Sequence, residues 1–103
     1  MKYKNIKTVE YSTVIYENNS YISFIDNENN CFSKEQINEI IYGIENGLTA
    51  EQIKIYKNTN YSAKQMCEIR LGLQQGVDVK KYLNKNLHRK EMRRIRKMLY
   101  KNK

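Results

Sequence analysis

A segment written three times constrains this chain more than any other feature. Phe32-Ser33-Lys34-Glu35-Gln36-Ile37 returns as Tyr61-Ser62-Ala63-Lys64-Gln65-Met66 and again as Leu87-His88-Arg89-Lys90-Glu91-Met92, with starts 29 and 26 residues apart. Beyond each start the likeness continues through Ile40, Ile69 and Ile95, then Ile44, Leu73 and Leu99, then Gly47 and Gly76. A period of this length is that of helical repeat units, which bury their apolar faces by stacking on one another.

The local chemistry of each copy specifies a helix. Ser33 with Gln36 and Ser62 with Gln65 have the spacing of a capping box, and Phe32/Ile37, Tyr61/Met66 and Leu87/Met92 that of a hydrophobic staple. In the third copy His88 takes the serine's place and Glu91 the glutamine's. Apolar residues then recur three and four apart, giving one stripe per helix. Gly43 and Gly72 lie inside helices, where glycine costs about 1 kcal/mol relative to alanine, so a neighbouring backbone is expected to pass close. Gly47 and Gly76 suit the left-handed residue that ends a helix, with Leu48 and Val77 as the apolar contact beyond it. Thr49 with Gln52, and Asp78, open a short second helix in the two complete copies, leading to Tyr56 and Tyr82.

Upstream, residues 6–16 alternate as a strand does, Glu17-Asn18-Asn19-Ser20 has turn chemistry, and Tyr21–Ile25 reads as a second strand. The expected fold class is therefore α+β and mostly α: an N-terminal two-stranded β-hairpin packed on tandem helical-hairpin repeats. A single domain over 1–103 is expected, with the hairpin in 1–31, repeat 1 in 32–60, repeat 2 in 61–86 and a truncated basic repeat 3 in 87–103.

The run Gln65-Met66-Cys67-Glu68-Ile69-Arg70-Leu71-Gly72-Leu73-Gln74-Gln75-Gly76-Val77-Asp78-Val79-Lys80-Lys81-Tyr82 resembles a short helical repeat found in uncharacterised proteins of low-GC bacteria, their phages and integrating elements. The resemblance spans 32–99. The first copy departs from it at Ile41, where the repeat has arginine, and by an insertion around Thr49–Gln52. It implies a mobile-element accessory protein and brings no activity with it.

Little in the sequence suits catalysis. His88 is the only histidine, and no Ser/His/Asp or Cys/His arrangement, HExxH, CxxC or phosphate-binding glycine loop is present. Enzyme activity, a cofactor and a metal site are not expected. Glu35, Glu39 and Glu68 read as solvated or ion-paired surface acids. Cys31 and Cys67 have no metal or redox spacing, no apolar run approaches 20 residues, and Met1-Lys2-Tyr3-Lys4 precedes no apolar signal core. A reduced, cytoplasmic protein of a bacterial host cell, without a membrane partner, is the expectation.

Charge gives the functional lead. Of the net +8, residues 80–103 carry eleven basic residues against Glu91 alone, while residues 1–79 are net negative. On a helix from His88 to Tyr100, Lys90, Arg93, Arg94, Lys97 and Lys101 face away from the apolar stripe, with Arg89 and Arg96 on its flanks. Like charges four apart oppose such a helix by about 0.2–0.5 kcal/mol per pair, so stability does not explain them. Arg89, Arg93, Arg94 and Arg96 also count against lysine-rich coding as the cause. These residues, with Lys80 and Lys81, are the expected binding face. The expected function is a small non-enzymatic inhibitor from a phage or mobile element. Its partner would be a host defence protein or ribonucleoprotein complex, of anti-CRISPR or anti-restriction type. The alternative is a nucleic-acid-binding regulator that contacts DNA or RNA phosphates directly.

Overall fold

The computed structural model describes residues 32–103. In order these form α1 (Lys34–Glu45), α2 (Ala50–Tyr56), α3 (Ala63–Gln75), a 3-10 turn (Val79–Tyr82) and α4 (Arg89–Lys101). The α+β class is thus corrected: the described residues are 68% helix, with four α-helices and no strand. Their apolar stripes all have the helical period, and other helices of the repeat meet them, so this core closes by helix-on-helix packing. The hairpin expected in 1–31 lies outside the described residues. No described helix is long and apolar enough to cross a membrane.

The helices begin where short-range chemistry puts them. Ser33, Thr49 and Ser62 each accept the N–H of the residue three places on at 3.1 Å, and Gln36, Gln52 and Gln65 accept the cap's own N–H at 2.8 Å. These are three complete capping boxes. His88 caps α4 differently, its Nδ1 accepting the Lys90 N–H at 3.0 Å. At the other end, Gly47 and Gly76 have φ of 85° and 76°. Beyond them Leu48 and Val77 donate back to the Gly43 and Gly72 carbonyls at 3.0 Å, closing the same reverse turn twice.

The second half of each unit brings a tyrosine into the core, with Ile53 beside it in unit 1 and Val79 in unit 2. Tyr56 and Tyr82 are fully buried, and their hydroxyls donate to the Glu39 and Glu68 carbonyls at 2.7 and 2.8 Å. Each hydroxyl lies over the helical glycine of its own unit, Gly43 or Gly72, where a Cβ would collide with it. A side chain, not the expected neighbouring backbone, is what requires those glycines. Unit 1 reaches its glycine by way of the seven-residue α2. Unit 2 lacks the Thr49–Gln52 insertion, and its expected second helix shortens to the four-residue 3-10 turn capped by Asp78.

Units are then coupled by a repeated pair of polar contacts. The Gln36 amide donates to the Tyr61 carbonyl at 2.7 Å, and the Gln65 amide to the Leu87 carbonyl at 2.9 Å. Arg70 Nε meets Glu39 Oε1 at 2.8 Å, and Arg96 Nε meets Glu68 Oε1 at 2.9 Å. Around these lies one apolar core that includes Ile37, Ile40, Ile53, Met66, Ile69 and Met92.

The glycine requirement can be measured. Gly72→Ala gains about 1 kcal/mol of helix propensity, but the collision with Tyr82 Oη and a 2.7 Å approach to Val79 Cγ1 outweigh it at about 1–3 kcal/mol of overpacking. Urea denaturation is expected to show net destabilisation. Combining it with Tyr82→Phe should cost less than the two single changes summed, because the hydroxyl is both the obstacle and the bond.

Candidate partner-binding face

Helix α4 carries most of the expected site, and it divides those residues into two groups. Met92 is fully buried, and Ile95 and Leu99 pack against the core. Arg96 lies within the same face at 100° per residue and is only 7% exposed. Its Nε donates to Glu68 Oε1 and its Nη1 to Gln75 Oε1 at 3.0 Å. Glu68, at 3% exposure, uses its other oxygen to accept from Arg93 Nε at 3.2 Å. One buried carboxylate thus holds two arginines of the expected binding face. Arg96 is structural, and Arg93 reaches solvent with its side chain only half exposed.

Lys90, Arg94, Lys97 and Lys101 form the outer group, at positions i, i+4, i+7 and i+11 of one helix. They make a straight row of about 16 Å at 1.5 Å per residue. All four are exposed. Arg94 pairs with Glu91, which accepts from its guanidinium through both carboxylate oxygens. That bond holds the Glu91 carboxyl below its usual range. With the Arg94 side chain 60% exposed, the pair is a solvent-screened one that a partner can compete for. Lys80, Lys81, Arg89, Lys90, Lys97 and Lys101 make no salt bridge with any described residue. Lys80 and Lys81 stand exposed on the 3-10 turn. Arg89 lines an open cleft of about 390 Å³ with Ser62, Lys64, Gln65 and His88, which adds Lys64 to the cations near the start of α4.

Two residues missed as functional in the sequence are Glu39 and Glu68, which face into the molecule to hold the next unit's arginine. The signal is the triplet Glu68-Ile69-Arg70, whose glutamate couples forward and whose arginine couples back. Unit 1 has the glutamate without the arginine, as Glu39-Ile40-Ile41, and unit 3 the arginine without the glutamate, as Arg94-Ile95-Arg96.

Nothing among the described residues gathers three or more potential metal ligands. The Cys67 thiol is pushed up by burial and by Glu39, against the opposing effect of Arg70, whose Nη2 lies 3.6 Å away. It is held in its protonated, less nucleophilic form. Burial likewise raises the Tyr56 and Tyr82 phenols, which serve as donors to backbone. Compared with known proteins, the chain matches no family model, no curated protein and no solved structure.

The division between the two groups predicts different stability effects. Glu68→Gln strands Arg96 in the core and is expected to destabilise by about 3–5 kcal/mol, the range for breaking a buried pair. Lys97→Gln, on the outer row, should change stability by no more than about 0.5 kcal/mol. Equal losses in thermal melts of the two variants would contradict the assignment.

Proposed function

We propose that this chain is a small non-enzymatic binding protein that meets an anionic surface through the outer face of α4. Its repeat resembles that of phage and integrating-element proteins. On that likeness we read it as an inhibitor acting on a host nucleic-acid-handling defence complex, of the CRISPR or restriction kind. The observation that carries the reading is the row Lys90, Arg94, Lys97 and Lys101: four cations on one exposed face, with Glu91 the only acid bound to any of them among the described residues. Stability gives no reason for that row. Lys90/Arg94 and Lys97/Lys101 are like-charge pairs four apart, each unfavourable by about 0.2–0.5 kcal/mol, and only Lys101 sits where the helix C-terminus favours a cation. Such a face speeds and orients association with a negative partner. Direct contact with phosphates is the second reading, favoured by the straightness of the row and by Arg89 and Lys64 beside its start.

Lys90→Glu combined with Lys97→Glu tests the face without harming the fold. The first change puts an acid in the first turn of α4, and the second relieves like-charge pairs. In a plating assay, the wild-type chain is expected to protect a phage from the matching defence system. The double variant, helical by circular dichroism, should lose that protection; retained protection would remove the row from the mechanism. A gel shift with random duplex DNA addresses the second reading. Direct phosphate binding predicts a shift whose log K falls by about 0.9 per phosphate contacted against log salt. No shift at low salt excludes it.

A further inference from the structure

The coupling face of the repeat can be followed from unit to unit. On its forward side, unit 1 presents Gln36, Glu39 and Gly43, and unit 2 presents Gln65, Glu68 and Gly72. The glutamine holds the next unit's first carbonyl, the glutamate holds the next unit's arginine, and the glycine admits the unit's own tyrosine. The same positions in unit 3 are Glu91, Arg94 and Met98. All three functions are gone. An incoming unit of this pattern would bring its arginine against Arg94, and its backbone carbonyl against a carboxylate. The helix end has changed too. Asn102 replaces the left-handed glycine and has φ of −94°. Lys103 replaces Leu48 and Val77, and its amine turns back to the Gln75 carbonyl at 2.8 Å.

What stands on that face is a compact set of groups. Met98 is 44% exposed, with the exposed Arg94 and Lys101 beside it. Methionine and arginine are among the residues enriched where proteins meet proteins. A phosphate backbone would use the cations and leave Met98 idle.

We infer that the forward face of α4 is the repeat's coupling surface with its charge inverted, built to receive an acidic protein surface where a tyrosine segment of its own unit and a further unit would otherwise pack. The partner brings carboxylates to Arg94 and Lys101 in place of the repeat's arginine, and an apolar side chain to Met98. Glu91 holds Arg94 extended until the partner's carboxylate competes for it. This deepens the reading of α4 as the partner-binding face and rests on it.

The test uses the whole chain and three labelled probes followed by fluorescence anisotropy: polyglutamate, a random glutamate–tyrosine copolymer, and random duplex DNA. The copolymer is expected to bind about fivefold more tightly than polyglutamate at matched charge, the yield of partly burying one methionine. Met98→Ser should erase that difference and leave DNA binding unchanged, while Arg94→Gln should weaken both acidic polymers. Equal binding of the two polymers, unaffected by Met98→Ser, overturns the inference. If DNA alone binds, and Lys90→Glu with Lys97→Glu abolishes it, the inference falls while the anionic-partner reading of α4 survives. If no probe binds at low salt, both fall.

Discussion

A carboxylate buried to 3% exposure cannot remain charged without partners, because its lost hydration must be replaced by opposite charge and hydrogen bonds. Glu68 meets that demand with Arg96 on one oxygen and Arg93 on the other, and Gln75 takes a further guanidinium donor of Arg96. This arrangement fixes α4 against α3 in rotation as well as in register. A helix turned by one residue would place Lys97 or Ile95 where the guanidinium must be, so the outer row can point only one way. Apolar burial of Met92 supplies attraction but no such orientation, being non-directional. The proposed partner face is thus oriented from inside by Arg96, which lies in the core.

The same device one unit earlier, Arg70 on Glu39, shows that it belongs to the repeat and not to α4 alone. It also gives the array a polarity. Glutamate faces forward and arginine back, so a unit can be ended by changing only its forward member. In unit 3 that member is Arg94, a cation where the forward position of units 1 and 2 carries a carboxylate that holds the next unit's arginine. Repeat arrays in general need such terminal faces, since an unmodified one would expose coupling groups to solvent. In unit 3 the forward face carries Glu91 and the exposed Arg94 and Met98 where units 1 and 2 carry Gln, Glu and Gly.

The legible parts of the structure were those governed by residues three or four apart. The three Ser/Thr–Gln capping boxes, the apolar stripes and the left-handed Gly47 and Gly76 follow from local rules that tertiary packing left intact. What failed to show involved distance along the chain. Glu68 and Arg96 are 28 residues apart, and separately each has the look of an exposed polar residue. Gly43 and Gly72 were recognisable as close-approach positions, yet the approaching group is a tyrosine hydroxyl from the far end of the unit. The α+β class rested on alternation in 1–31, a short-range pattern that could not show how 32–103 close their core with helices alone. For the site, the outer row was readable from the helical period. Arg96 was not, because charge suggested solvent where its angular position already put it beside Met92.

The basic residues of α4 divide into a core-bound pair and an outer row, and pairing Arg96→Gln with Lys97→Gln in one experiment separates the two. Each variant would be scored for urea stability and for binding to one acidic probe, the glutamate–tyrosine copolymer. Opposite outcomes are expected: Arg96→Gln loses stability but keeps its affinity at temperatures where it is folded, while Lys97→Gln keeps its stability and loses affinity. Loss of both properties in both variants, or binding that depends on Arg96 and ignores Lys97, would contradict that division.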